Sequence, residues 1–133
     1  MAYDAQIAAL TIFCEASGEP YEGKLGVAAS LFNRLKAGRF GKTIASVCLA
    51  RYQYSEWNDD KADNANLRRG ASVPDNDPVL SECSRAYYEA LAGADPTHGA
   101  THYYAVSIPA PSWAATGEFT VQLGHHKFFR NVP

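Results

Sequence analysis

The chain has 133 residues, of which 47% are hydrophobic, enough for one buried core and too few for two domains of ordinary size. We therefore predict a single domain over residues 1–133. Its 12 basic and 14 acidic side chains leave a net charge of -2, so neither nucleic acid nor an anionic membrane is an expected partner. Cys14, Cys48 and Cys83 are too few and too widely spaced for a disulfide framework and are predicted to be buried thiols.

The first residues, MAYDAQ, contain neither a basic leader nor a long apolar run. They predict no secretory signal and no membrane insertion, and hence a protein made in the cytoplasm. A substrate outside the inner membrane would then require another factor to carry or release the protein.

Three helices are predicted where apolar residues recur every three or four positions, over residues 4–18, 20–38 and 77–93. Asp4 and Asp77 are the expected N-caps of the first and third helices, and a glycine ends each helix. The stretch between the second and third helices contains a short apolar segment and then residues 58–77, which are rich in Asp, Asn and Gly and predict a surface loop.

Three short β-prone segments follow the helices, at residues 101–104, 120–123 and 126–130. Gly or Pro separates them, which favours a small antiparallel sheet. Helices first and strands last predict an α+β domain.

Five blocks of the chain resemble, in order, the motifs of the SleB/CwlJ cell-wall hydrolases. The blocks are FCEASGEPYEG (13–23), VAASLFNR (27–34), QYSEW (53–57), DPTHGATHYY (95–104) and GHHKFFR (124–130). Five ordered blocks are far more specific than one short motif. The resemblance implies a lysozyme-like fold, with N-terminal helices and a small antiparallel sheet, that cuts bacterial peptidoglycan between N-acetylmuramic acid and N-acetylglucosamine.

The resemblance also implies a setting and a catalytic residue. Germination-specific spore-cortex lytic enzymes carry this domain, and so do phage endolysins without signal peptides. We predict a monomeric endolysin, released by a holin, that acts at the cell wall and needs no cofactor. The first Glu of the signature is the catalytic acid in this family, and here it is Glu15.

Glycosidic bond cleavage explains why a carboxyl group is needed at that position. A protonated carboxyl must donate its proton to the leaving oxygen, and Glu15 lies near a helix C-terminus, where the helix dipole disfavours an ionised carboxylate. A hydrolase would also need a second carboxylate, about 5 Å away for retention or about 6.5–9.5 Å away for inversion. Glu19 and Glu56 are the candidates, and Glu56 stands where relatives of this short type often carry Cys.

Lytic transglycosylation is the favoured reaction because the resemblance is to enzymes with one essential Glu. In that reaction the 6-hydroxyl of the muramic acid attacks its own anomeric carbon, so Glu15 acts first as acid and then as base. A true muramidase that uses a second carboxylate stays open as the alternative.

Aromatic and polar side chains in two of the blocks are predicted to bind the glycan, since an aromatic face suits the apolar face of a sugar ring. The candidates are Gln53, Tyr54, Ser55, Trp57, Tyr103 and Tyr104. Alternation along a strand predicts that only one of Tyr103 and Tyr104 lies in the cleft. Core packing is the alternative role for each aromatic residue, and Trp113 is left undecided.

The four histidines, His98, His102, His125 and His126, raise the alternative of a zinc-dependent amidase. No HExxH motif is present, and Gly99 between the first two does not suit a helical ligand pair, so no metal is predicted. His102 and His126 are expected to orient the sheet or the cleft. A non-catalytic cell-wall-binding module is a further alternative.

Basic residues in the second and fifth blocks have several possible partners. Arg34 and Arg130 are predicted to pair with acidic side chains or with carboxylates of the substrate. Whether Lys127 and Arg130 help the enzyme meet an anionic wall is left open by the sequence.

Overall fold

The computed structural model describes residues 2–50, 54, 57 and 65–133. Over these residues the chain forms five helices followed by three strands, which confirms the α+β prediction. The helices are α1 (Ala2–Ala16), α2 (Tyr21–Ala37), α3 (Ile44–Leu49), α4 (Ala65–Ser72) and α5 (Pro78–Leu91). The strands are β1 (His102–Ala105), β2 (Glu118–Leu123) and β3 (His126–Arg130), with a 3-10 turn at Ser112–Ala115 between β1 and β2.

The ends of α2 and α5 follow the chemistry predicted from the sequence. α2 begins after Pro20 and ends at Gly38, whose φ of 81° is left-handed. The carboxylate of Asp77 caps α5, because it accepts hydrogen bonds from the backbone N–H groups of Val79 and Leu80, each at 3.1 Å.

The predicted N-cap role of Asp4 in α1 is wrong, since α1 begins at Ala2. Asp4 lies within the first turn, and its Oδ1 accepts a hydrogen bond from the backbone N–H of Ala45 at 3.1 Å. That N–H belongs to the first turn of α3, where backbone donors have no partner within the helix. The side chain therefore satisfies α3 and ties it to α1.

α4 lies within residues 58–77, so the predicted loop is wrong over residues 65–72. Asn, Gly and Ser are weak helix formers, which is why the local composition indicated a loop. Packing favours the helix instead: Gly70 is buried, and a Cβ there would lie 2.9 Å from Cδ1 of Phe13 and 3.3 Å from Cδ2 of Leu10. Only a glycine lets α4 approach α1 this closely.

The core is formed mainly by α1, α2 and α5. Ala28 and Ala29 are fully buried in α2, so their small side chains allow close helix packing. Cys48 and Cys83 are buried as predicted and Cys14 is half-buried; all three are described residues, and no disulfide joins them. Burial raises the pKa of the Cys83 thiol to about 12. None of the described helices is long and apolar enough to cross a membrane.

The three strands form an antiparallel sheet in the order β1-β3-β2, with Tyr103 paired to Phe128. The inner face of the sheet packs directly on α2 at Gly26. A Cβ at Gly26 of α2 would lie 2.7 Å from Cζ of Phe128 and 2.9 Å from Cδ1 of Leu123. This contact brings the sheet to the end of α1 and the start of α2.

Candidate active site

Glu15 and Tyr103 form the centre of the candidate site. Glu15 is half-buried, one residue before the end of α1, and its Oε1 accepts a hydrogen bond from the hydroxyl of Tyr103 at 2.5 Å. Among the described residues no other group hydrogen-bonds to the Glu15 carboxylate. One carboxyl oxygen is thus fixed by β1, while the other has no partner in the described part of the chain.

Tyr103 is oriented by the inner face of the sheet. Its ring lies 5.4 Å from the ring of Phe128 and 5.1 Å from that of His126, both measured between centroids. Tyr104 points to the outer face, where its ring stacks on Phe129 at 5.7 Å and lies 6.0 Å from Trp113. The two tyrosines therefore lie on opposite faces, and Tyr103 is the one beside Glu15. Their predicted contacts with sugar stay predictions.

His126 lies near the Glu19 carboxylate and is only 7% exposed. Burial lowers its pKa, and the negative charges of Glu19 and Glu15 offset that effect only in part. The ring is therefore neutral at neutral pH. Its Nδ1 is 4.0 Å from Oε1 of Glu19 and has no hydrogen-bond partner among the described residues.

Glu19 follows α1 in the turn before α2, and both of its carboxylate oxygens contact His125. Oε1 accepts the backbone N–H of His125 at 2.6 Å, and Oε2 is 3.0 Å from Nδ1 of the same residue. Burial raises the pKa of Glu19, but the two hydrogen bonds from His125 and the nearby imidazoles lower it further than burial raises it. The net pKa lies below the ordinary value, so Glu19 is ionised at neutral pH.

The predicted QYSEW cluster is only partly described. Gln53, Ser55 and Glu56 lie outside the described residues, so their predicted roles stay predictions. Tyr54 is 3% exposed and packs in the core, with the guanidinium of Arg34 5.4 Å from its ring centroid. This burial favours the core-packing alternative for Tyr54.

Trp57, from the same cluster, is half-buried and packs against the core. Its indole N–H donates to Oγ1 of Thr11 at 2.8 Å. The bond fixes the indole ring on α1, one turn before Glu15, and its predicted contact with sugar stays a prediction.

The histidines do not converge on a metal site. His98 is exposed at a left-handed φ of 57°, whereas His102 packs between Phe40 and Trp113. Burial, together with the nearby positive charges of Arg34 and Arg39, lowers the pKa of His102 to about 4. Within the described part of the chain, no three His, Cys, Asp or Glu side chains are placed to hold a metal ion.

The two arginines have defined partners. Nε of Arg34 donates to the backbone oxygen of Thr101 at 2.6 Å, which fixes the residue before β1. Arg130 pairs with Glu118 at 2.8 Å, as one of its predicted alternatives stated. The second contact is well exposed and contributes little to stability.

Sequence reasoning missed the role of Asp95, which organises the DPTHGATHYY block. Its carboxylate accepts hydrogen bonds from the backbone N–H and hydroxyl of Thr97 at 2.8 and 2.5 Å, from the N–H of Gly99 at 2.9 Å and from Asn33 at 3.0 Å. Burial alone would raise the pKa of Asp95, but these bonds lower it overall. The Asp-Pro-Thr turn, with donors two residues after the Asp, was the available signal. It fixes the entry into β1 and hence Tyr103.

The Glu19–His125 contact was also missed. Its two residues are 106 positions apart, so no local pattern links them. The nearest signal was Gly124, whose φ is 58° at the turn between β2 and β3.

Comparison with known proteins places the chain among cell-wall enzymes. The Cell Wall Hydrolase family model matches residues 18–129. The chain belongs to this family. The matched segment includes Glu19, Tyr103 and His126 and begins three residues after Glu15. The predicted resemblance is therefore confirmed, while the role of Glu15 rests on its motif and its geometry.

Curated relatives are spore cortex-lytic enzymes. The enzyme from Halalkalibacterium halodurans is 29% identical over 125 residues, which cover 94% of this chain and 34% of the relative. The enzyme from Bacillus subtilis is 26% identical over 128 residues, covering 94% of this chain and 37% of the relative. The chain thus spans little more than a third of the length of these two relatives.

Two solved structures share the fold. The catalytic domain of Bacillus cereus SleB superposes with a TM-score of 0.78 at 24% identity, covering 98% of this chain and 91% of that domain. The catalytic domain of the germination-specific lytic transglycosylase SleB from Bacillus anthracis gives 0.75 at 24% identity, covering 96% and 93%. These structures confirm the predicted lysozyme-like fold.

Proposed function

We propose that this domain cuts the glycan strands of peptidoglycan between N-acetylmuramic acid and N-acetylglucosamine, with Glu15 as the general acid. The observation that carries the proposal is the hydrogen bond from Tyr103 to Oε1 of a half-buried Glu15. It holds one carboxyl oxygen and leaves the other to face a substrate. Family membership and the spore cortex-lytic relatives support peptidoglycan as the substrate.

The proposed reaction is lytic transglycosylation. Protonated Glu15 donates its proton to the glycosidic oxygen as the bond from that oxygen to C1 of the muramic acid breaks. The ionised Glu15 then takes the proton of the muramic acid C6 hydroxyl, whose oxygen bonds to C1. The products are a 1,6-anhydromuramyl end and a new N-acetylglucosamine end, and Glu15 regains its proton.

Tyr103 supports the ionised state of Glu15 in this scheme. Its O–H points at Oε1 and stabilises the carboxylate that forms when the proton leaves. Since Tyr103 is fixed by the sheet and Glu15 by a helix, the donor and the acceptor are positioned before the substrate binds.

A true muramidase is the second candidate, and Glu19 is the observation that favours it. The charges of both Glu15 and Glu19 act on His126, so two carboxylates lie near one ring. Against it, both oxygens of Glu19 are engaged by His125 and are poorly disposed to attack a sugar. We therefore favour the single-Glu reaction. Glu56, the other candidate second acid, lies outside the described residues.

The relatives do not test the predicted role as a phage endolysin. Those named above are spore cortex-lytic enzymes of Bacillus-type bacteria, and none of them is a phage protein. Action at a cell wall is common to spore-cortex lysis and to phage lysis. Release by a holin as an endolysin stays a prediction.

The test is mass spectrometry of the soluble products that wild type and Glu15→Gln release from purified sacculi. We expect anhydromuramyl ends from wild type and none from the variant. Glu22→Gln is the matched control, because Glu22 is an exposed Glu in the first turn of α2. Reducing muramyl ends would establish the muramidase instead. Free stem peptides, or full activity of Glu15→Gln, would overturn the proposal.

A further inference from the structure

We propose that Glu19 is a positioning residue for this site: its carboxylate clamps the turn between β2 and β3 and thereby holds Tyr103 against Glu15. We call the contact of Glu19 with Gly124 and His125 the Glu19 clamp. The kinetic part of this inference rests on the proposed function, whereas its structural part does not.

The clamp is tight on the side of the turn. A Cβ at Gly124 would lie 2.3 Å from Oε1 of Glu19 and 2.9 Å from Cδ of Pro20, and the φ of 58° also favours glycine there. The carboxylate then accepts both the backbone N–H and the ring of His125. Hydrogen bonds to an ionised acceptor are about twice as strong as those between neutral groups.

The clamp is equally fixed on the side of the helices. The ammonium of Lys24 donates to the backbone oxygen of Glu19 and pairs with Glu82 at 3.2 Å. Lys24 is only 3% exposed, so this cation is held in place by its surroundings. Both the backbone and the side chain of Glu19 are therefore anchored, and the β2–β3 turn rests on a rigid support.

The clamp reaches Glu15 through three contacts. His126 follows the clamped residue His125 and begins β3, and its ring contacts the ring of Tyr103 at 5.1 Å. Tyr103 in β1 is also paired with Phe128, which lies in β3 together with His126. A shift of the turn therefore moves the surface on which Tyr103 lies, and with it the hydroxyl that donates to Glu15.

Nuclear magnetic resonance tests the structural part without any activity. The amide proton of His125 and the ring protons of Tyr103 are followed in wild type, Glu19→Ala, Glu19→Gln and the control Glu22→Ala. We expect both sets of signals to shift in Glu19→Ala and to stay near wild type in Glu19→Gln, because the amide oxygen of Gln still accepts from His125. Tyr103 signals unchanged in Glu19→Ala would overturn the clamp.

Kinetics with a soluble glycan fragment test the catalytic part. Glu19→Ala should lower kcat about 10- to 100-fold, the effect of a displacement on the order of 1 Å, with KM nearly unchanged. Glu19→Gln should recover most of kcat, and His125→Ala, which keeps the backbone bond, should lose less than Glu19→Ala. If Glu19→Ala does not fold, Glu19→Gln still separates a clamp, which the Gln side chain preserves, from a reacting carboxylate, which the substitution destroys.

Two kinetic results would contradict the clamp. Glu19→Gln as inactive as Glu15→Gln would make Glu19 a reacting carboxylate, and full activity of Glu19→Ala would make the contact irrelevant. If wild type cuts no glycan, the proposed function fails, but the Tyr103 signals still decide whether the clamp exists.

Discussion

Two glutamates of one sequence block, four residues apart, lie in contrasting surroundings. Glu15, at the end of α1, takes part in one hydrogen bond to a described residue, whereas Glu19, in the turn that follows, has both oxygens bound by His125. A carboxylate with both oxygens hydrogen-bonded suits a structural role, and one with an unbonded oxygen suits proton transfer. The number of fixed donors around each group, rather than its place in the motif, separates the proposed acid from the proposed clamp.

Removal of the Glu15 carboxyl group tests the contrast between Glu15 and Glu19, and we expect it to have the largest effect on activity. We expect Glu15→Gln to lower kcat at least about 10³-fold, because it removes the proposed acid and base. Its melting temperature should stay close to that of wild type, since Gln still accepts a hydrogen bond from Tyr103. A turbidity assay with sacculi, alongside thermal unfolding, measures both. A large loss of stability would instead make Glu15 a structural residue like Glu19.

Removal of the donor on Glu15 should have the next largest effect. Tyr103→Phe keeps the ring between His126 and Phe128 but deletes the hydroxyl. We expect kcat to fall about 10- to 100-fold, as for a lost hydrogen bond to a charged group. Tyr104→Phe is the matched control, because Tyr104 lies on the outer face of the sheet. Equal losses of kcat in the two variants would contradict a specific role for the Tyr103 hydroxyl on the inner face of the sheet.

Asp95 resembles Glu19 in that both of its carboxylate oxygens accept hydrogen bonds. Its pKa is lowered in the folded state, so its contribution to stability is complete above the unfolded pKa of about 3.8 and is lost as the pH falls through the lower folded pKa. We expect the free energy of unfolding to decrease with acidification below about pH 4, and less steeply in Asp95→Asn. Denaturant titrations at several pH values measure this. Equal slopes would contradict the assignment.

Chelation should have the smallest effect. Glu19 and the two adjacent histidines carry atoms that bind zinc in other proteins, but the described residues hold no set of three suitable ligands. We therefore expect EDTA to leave the rate unchanged within error. A loss of activity that zinc restores would turn the Glu19 clamp into a metal site and revive the amidase alternative.

Local sequence patterns were sufficient to predict features that depend only on residues close together in the chain. Proline and glycine gave the bounds of α2, the Asp-Pro pair gave the start of α5, and period-2 alternation placed Tyr103 and Tyr104 on opposite faces. They failed for α4 and for Asp4, because in both cases the partner lies elsewhere in the chain. The same limit applied to the site.

The sequence by itself determined the α+β order of elements, the family and the choice of Glu15 as the candidate acid, because ordered motifs and local chemistry are written in consecutive residues. Only the tertiary structure decided that Tyr103 donates to Glu15, 88 positions away, and that Glu19 is bound by His125. Contacts of this range depend on how the sheet packs on α2 through Gly26, and that packing is a property of the folded chain as a whole.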